Sequence, residues 1–262
     1  MKTEYFDLKN KRALISGGAS GIGSSIVEHL CEQGVEVYFF DIDKKEAKKT
    51  INKIKKKKFK IPNFVECDIK NIKKYKLSIL NIIKKNGPID ILVNNASNDQ
   101  RHSLEKITEK YWDDRMAINL KHYLFAIQSV KKSMIKNKGG SIINLGSVSW
   151  VRGAVMFPAY SIAKAGIYGL TKSLARDLGK HNIRINTIAP GSILHEQGGW
   201  ESFQNDNPPE VVEDFIKNNL PMGKFGWPEP VGDLVAFLAS EKANLITGAC
   251  IVVDGGQSHS LI

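Results

Sequence analysis

Seven short apolar runs, each separated from the next by a segment of helical spacing, restrict this chain more than any other feature. They are "ALIS" (13–16), "VEVYFF" (35–40), "FVEC" (64–67), "DILVNN" (90–95), "SIINLGS" (141–147), "RINTIAP" (184–190) and "CIVVDGG" (250–256). Several are almost continuously apolar, as strands covered on both faces are. Between them, the apolar positions Met116, Leu120, Leu124, Ile127, Val130 and Met134 recur at three- and four-residue steps and define one helical face. Gly34 reads as a left-handed stop after the first helix. Strand alternating with helix implies parallel strands joined by right-handed crossovers. The expected fold is therefore α/β: a doubly wound parallel sheet of about seven strands flanked by helices. The 262 residues suit one such domain, 1–262, with no internal repeat or low-complexity linker. The one long interruption is 191–228, rich in Gly, Asn and Pro, whose middle "PPEVVEDFIKNNL" reads as a short helix. It follows the carboxyl end of a strand, where a substrate lid would lie.

Composition removes several function classes. Cys31, Cys67 and Cys250 are scattered and lack metal-ligand spacing, so neither a disulfide framework nor a metal site is expected. No stretch approaches the roughly 18 apolar residues of a membrane span, and the N-terminal segment has no apolar signal region. A cytoplasmic protein with no membrane partner is the expectation. The net charge of +11 is concentrated in residues 44–85, which hold 16 Lys, no Arg and three acids, leaving the remainder at −2. Nucleic-acid readers favour Arg forks and aromatic platforms, neither of which accompanies these lysines. The segment reads as a solvated face, and no nucleic-acid partner is expected.

The first strand-to-helix turn is "SGGASGIG" (16–23), with glycines at 17, 21 and 23. A tight glycine turn that opens a helix lets the backbone approach a pyrophosphate, with helix amides and the positive dipole end facing it. Asp41 closes the second strand, where a carboxylate accepts both ribose hydroxyls of an adenosine and repels a 2′-phosphate. Ser20 supplies no base for such a phosphate, so the pattern points to NAD over NADP. Asp68, after the third strand, suits either an adenine amino group or the cap of the next helix.

Tyr160 and Lys164 form Y-x-x-x-K, one helical turn apart. Tyr5/Lys9 and Tyr168/Lys172 share that spacing, but only Tyr160 has a serine, Ser147, thirteen residues upstream at the end of an expected strand. With "SGGASGIG", "NNA" (94–96), Asn119 in "MAIN", "INLGSVSW", "YSIAK", "INTIAPG" (185–191), "PMGKFGWPEPVGDLVAFLAS" (221–240) and "ITGACIVVDGG" (246–256), the chain resembles the short-chain dehydrogenase/reductase family over essentially its full length. The resemblance implies a single Rossmann-like NAD-binding domain, a homotetramer, and a catalytic tetrad of Asn119, Ser147, Tyr160 and Lys164. It implies cofactor contacts at Gly17, Ser20, Gly21, Ile22, Gly23, Asp41, Asp68, Ile69, Asn94, Ala96, Tyr160, Lys164, Pro190, Gly191 and Ile193. Free tyrosine, with a pKa near 10, is a poor base. An ammonium on Lys164 and a cationic nicotinamide would favour the phenolate. Ser147 would hold the substrate oxygen, and Asn119 would position a water linking Lys164 to solvent.

After "NNA" the family pattern continues with glycine, whereas this chain has Ser97 followed by "NDQRH". These residues, with "NLKHYLFAIQSV" and "GGSIINLGSVSW", are similar to the NAD-dependent sugar 1-dehydrogenases that act on free aldoses such as xylose, arabinose, fucose or galactose. A sugar ring needs many directional hydrogen bonds, and a loop offering amide, carboxylate, guanidinium and imidazole suits it. Candidate substrate contacts are Asn98, Asp99, Arg101, His102, Ser147, Ser149, Trp150 and Tyr160. Against these stand pairing of Asp99 and Arg101 with each other or with another loop, His102 as the cap of the next helix, and Trp150 as core. His195 stands near a family threonine that touches the cofactor. The expected reaction is oxidation of an aldose at C1 to its lactone. Reduction of a 3-oxoacyl or other ketone is the alternative, and a non-catalytic NAD- or polyanion-binding protein is the alternative of another class.

Overall fold

The computed structural model describes residues 3–196 and 198–258. All seven expected strands form: β1 (Arg12–Ser16), β2 (Glu36–Asp41), β3 (Asn63–Glu66), β4 (Ile91–Asn94), β5 (Gly140–Leu145), β6 (Ile183–Pro190) and β7 (Cys250–Val253). They make one parallel sheet in the order β3-β2-β1-β4-β5-β6-β7. The order reverses between β1 and β4, where Ser16 pairs in register with Asn94. The "DGG" expected to extend β7 leaves the sheet because Gly255 and Gly256 take φ of 61° and 83°, which a strand does not use.

The nearly continuous apolar runs follow from burial on both faces. Ala13, Ile15, Val37, Phe39, Ile91 and Val93 join one core. It is shared with α1 (Gly21–Glu32), α2 (Lys44–Lys56) and, later in the chain, a C-terminal helix at 229–239. The alternate positions Leu14, Phe40, Leu92 and Ile142 enter a second core. That core is built on α3 (Ile72–Asn86) and on helices at 122–136 and 158–179. Each fully buried large side chain contributes on the order of 1.5–3 kcal/mol. Gly34 (φ 76°) ends α1 as expected: its N–H reaches Cys31 O, and Val35 N–H reaches Leu30 O. The Lys-rich stretch forms the solvent sides of α2 and α3, which bury Ala47, Thr50 and Ile54, and Tyr75, Ile79 and Ile82.

The helical face expected from Met116 onward is interrupted. Helix α4 (Glu109–Met116) passes into a π turn, Ala117–Lys121, before α5 (His122–Lys136). The wider turn shifts the phase of α5, so Leu124 is 45% exposed while Ile127, Val130 and Met134 are buried, joined by His122, Tyr123 and Ala126. The long α6 (Pro158–Gly179) starts at a proline, whose missing N–H costs nothing at that position. The interruption after β6 holds two helices, α7 (Gly199–Asp206) and the expected α8 (Pro209–Asn219), before α9 (Glu229–Ala239). No helix among the described residues is long and apolar enough to cross a membrane.

Candidate active site

The turn between β1 and α1 is shaped by the absence of side chains. Gly17 (φ 70°) packs so closely on the β4 loop that a Cβ would lie 2.7 Å from Ala96 Cα. At Gly23 a Cβ would fall 1.7 Å from Gly17 O. A Cβ on Gly21 (φ 53°) would meet the His195 ring at 2.8 Å. The first turn of α1 starts from Ser20, which makes no side-chain cap, and the leading helix amides have no acceptor within the helix. Asp41 is tied to this turn. Its Oδ2 accepts from Ala19 N at 2.9 Å, and its Oδ1 accepts from Ile42 N and Asp43 N. A dinucleotide's phosphates fit this cradle: donors, a dipole and room for close approach coincide.

Around Tyr160, three elements converge. Ser147 follows β5, and Tyr160 and Lys164 lie one turn apart near the start of α6. Lys164 is 2% exposed; its Nζ donates to Leu145 O at 2.8 Å and to Tyr123 Oη at 3.4 Å, and lies 5.4 Å from the Tyr160 ring centre. Burial lowers the Lys164 pKa to about 7, opposed by the charge of Asp99. Tyr160 is pushed up by burial and by Asp99, and the Ser147 hydroxyl pulls it down. In the protein alone, burial and the Asp99 charge therefore favour the protonated phenol. Asn119 sits on the π turn, fully buried. Its Oδ1 accepts from Asn98 N at 2.8 Å and its Nδ2 donates to Asn98 O at 3.0 Å. The carboxamide thus holds the loop backbone at Asn98 from both its ends.

The loop after β4 spends many of its polar atoms on bracing itself against α4, the π turn and α6. Asn98 Oδ1 accepts from Arg115 Nη1 at 2.6 Å and from Gln100 N at 2.9 Å. Buried His102 accepts at Nε2 from Ala159 N at 3.2 Å, while Nδ1 faces Gln100 O and Tyr111 Oη at 2.9 Å each. With Nε2 accepting, the proton belongs on Nδ1. His102 therefore caps the first turn of α6, the helix that carries Tyr160. Asp99 and Arg101 remain exposed at the cleft and do not pair with each other among the described residues. The cleft, about 790 Å³, runs from Ser20 and Asn95 past Ser147 and Tyr160 to Trp200 and Phe203 of α7.

A family model described as enoyl-(acyl carrier protein) reductase matches residues 17–258. The chain belongs to the short-chain dehydrogenase/reductase family. As such it is an oxidoreductase whose fold binds a nicotinamide cofactor. This dehydrogenase is 38% identical to D-xylose 1-dehydrogenase of Caulobacter vibrioides over 96% of its own chain and 97% of that protein. It is 35% identical to a probable galactose dehydrogenase of Rhizobium meliloti, over 97% of both chains. A 3-oxoacyl-[acyl-carrier-protein] reductase of Thermotoga maritima is 34% identical over 95% of this chain and 98% of that one. Among solved structures, Thermoplasma acidophilum aldohexose dehydrogenase superposes with a TM-score of 0.85 at 32% identity, over 98% of this chain and 97% of the other.

The dehydrogenase's cleft gathers Ser20, Ile22, Asn98, Asp99, Arg101, Ser147, Ser149, Tyr160, Lys164, Pro190, Gly191 and Ile193. Asn94, Trp150 and His102 do not line it. Asn94 is fully buried and donates to Asn144 Oδ1 at 2.9 Å, within a polar ladder that continues to Thr171; the neighbouring Asn95 lines the groove and donates to Gly17 O. The two asparagines alternate across the strand end, and only one can face the cofactor. Trp150 stacks on Tyr168 at 6.0 Å, away from the cleft. His102 is a buried brace, as described above. Asp68 stands exposed at the sheet's rim, accepting from Lys70 N, while Asn71 caps α3 and Ile69 is buried beside it. The aromatic residues that line the cleft are Phe157, Tyr160, Trp200 and Phe203. Sequence reasoning missed Phe157, Trp200, Phe203 and Arg152, because the segments that carry them show no periodicity that fixes their direction.

Proposed function

We propose that the enzyme oxidises C1 of a free aldose, a pentose, hexose or 6-deoxyhexose, with NAD, giving the aldonolactone. The observation that carries this reading is the polarity of the cleft beside Tyr160: Asn98, Asp99, Gln100 and Arg101 border it. A ring of hydroxyls is matched by such directional donors and acceptors, which an apolar ketone would leave unpaired. The names of the xylose, galactose and aldohexose dehydrogenase relatives agree with this substrate class.

The glycine turn, Ser20, Ile22, Asn95, Pro190, Gly191 and Ile193 would hold the dinucleotide. Asp41 favours NAD, because its carboxylate would repel a 2′-phosphate. When bound, the nicotinamide accepts the hydride from C1. Ser147 holds the C1 hydroxyl, and the Tyr160 oxygen takes its proton. Lys164, fixed by Leu145 O and Tyr123, supplies positive charge beneath the phenol while it keeps its own proton. Asn119 acts by holding Asn98, and with it the loop that borders the sugar. Residues 191–228 serve as the lid, and the assembly is a homotetramer.

A panel of aldoses, simple secondary alcohols and 3-oxoacyl thioesters, each assayed with both cofactors by NAD(P)H absorbance, tests the reading. Aldose oxidation with NAD at kcat/KM at least about tenfold above that with NADP is expected. The 3-oxoacyl reductase relative marks the competing reading. Ketone reduction with NADPH and no aldose turnover would replace the proposal.

A further inference from the structure

Two arginines line the cleft in different electrostatic settings. The Arg101 guanidinium is surrounded by aromatic faces: its Cζ lies 5.4 Å from the Phe157 ring centre, 5.9 Å from Phe203 and 6.0 Å from Trp200. Exposed to solvent and attracted to those faces, that charge carries little desolvation cost, and the contacts tie the β4 loop to α7. Arg152, in the turn after β5, is half-buried. Its hydrogen bond is to a neutral group, Asn219 Oδ1 at 3.2 Å, and no carboxylate pairs with it among the described residues. A guanidinium has five donors. Burial lowers the Arg152 pKa, and the acid that opposes this, Asp254, is committed to Gly256 N and Ser258 N. Of the acids at the cleft, Asp99 acts on Tyr160 and Lys164, and Asp206 is exposed at the end of α7. A half-buried cation without a counter-charge is costly, and a bound anion offsets that cost.

We propose that Arg152 recognises an anionic substituent, carboxylate or phosphoryl, on a sugar carbon other than C1, so that the cleft selects an acidic sugar over its neutral parent. The planar fork of the guanidinium matches either oxyanion through paired N–H donors. The inference rests on the aldose reading above and narrows it. The chemistry at C1 is the same: a hydride, carrying both electrons of the C1–H bond, would pass to NAD, the hydroxyl proton goes to Tyr160, and the anionic group is unchanged.

The test compares galactose with galacturonate, and glucose with glucuronate and glucose 6-phosphate, by NADH formation in the wild type, Arg152→Gln, Arg152→Lys and Arg101→Gln. One anionic sugar is expected to exceed its neutral parent by about tenfold or more in kcat/KM, mainly through KM. Which arm wins separates carboxylate from phosphoryl. Arg152→Gln should collapse that ratio by about 10- to 100-fold, Arg152→Lys should restore part of it, and Arg101→Gln should keep it. Calorimetric binding of galacturonate and glucose 6-phosphate to the NADH-loaded enzyme reads recognition without turnover. Oxidation of neutral aldoses with no preference for anionic ones overturns the inference and leaves the aldose reading standing. Absence of C1 oxidation with any sugar, neutral or anionic, overturns the aldose reading and the inference with it, even where Arg152 still binds an anion.

Discussion

The turns that follow β1 and β4 lie side by side where the strand order reverses, yet they are made of opposite materials. Residues 16–23 form a surface by leaving side chains out: at Gly17, Gly21 and Gly23 a single added carbon would strike backbone or the His195 ring. Residues 95–102 form theirs by tying side chains together, with Asn98 held by Asn119 and Arg115, and His102 held to Ala159 and Gln100. The first surface can be specific only for what a bare backbone recognises, a phosphate, and so suits any dinucleotide. The second leaves few polar atoms free, and those few can discriminate between substrates.

The sharpest way to separate the two turns is Tyr160→Phe. Turnover should fall roughly a thousandfold or more, while NADH affinity by fluorescence titration stays within about threefold. Loss of both together would show that the two surfaces are not independent. Next in size is Gly23→Ala, whose Cβ would meet Gly17 O. NADH affinity should drop by more than about tenfold with a lower Tm, since backbone cannot yield as a side chain can.

Lys164 of α6, buried against the end of β5, has a pKa of about 7 in the folded chain against 10.5 ordinarily. Between those values the unfolded chain keeps a proton that the folded one has released, so stability falls as pH drops from about 10 toward 7. Lys164→Met removes this dependence. The stability of the variant relative to the wild type should be greatest at and below neutral pH and should shrink on approach to pH 10, measured by denaturant midpoints without cofactor. A gap that widens with pH would contradict the buried setting of the amine. Smallest is Trp150→Phe. With the indole stacked on Tyr168 away from the cleft, the sugar kcat/KM should stay within about twofold. A large rise in KM would return Trp150 to the substrate wall.

Legibility in the sequence divides along the same line. All seven strands could be read because both faces of the sheet are buried, leaving apolar runs bounded by glycine and polar turns. The glycine turn and the Tyr160–Lys164 spacing could be read because backbone geometry and one helical turn fix them. Trp150 and Asn94 could not be placed, since a residue at the end of a strand or in an irregular turn carries no period that says which way it points. Arg152 and the aromatics of α7 were invisible for the same reason: only the folded chain brings the turn after β5 opposite residues 198–206.

The π turn at Ala117–Lys121 also bears on how such an enzyme can change over evolution. Shortening this turn by one residue would let α4 and α5 run on as one regular helix, with the phase that the spacing of Met116, Leu120 and Leu124 suggests. It would also withdraw Asn119 from Asn98, and with it the loop that borders the cleft. The surplus residue is therefore a local defect that selection for activity must keep, and selection for helix regularity alone would delete it.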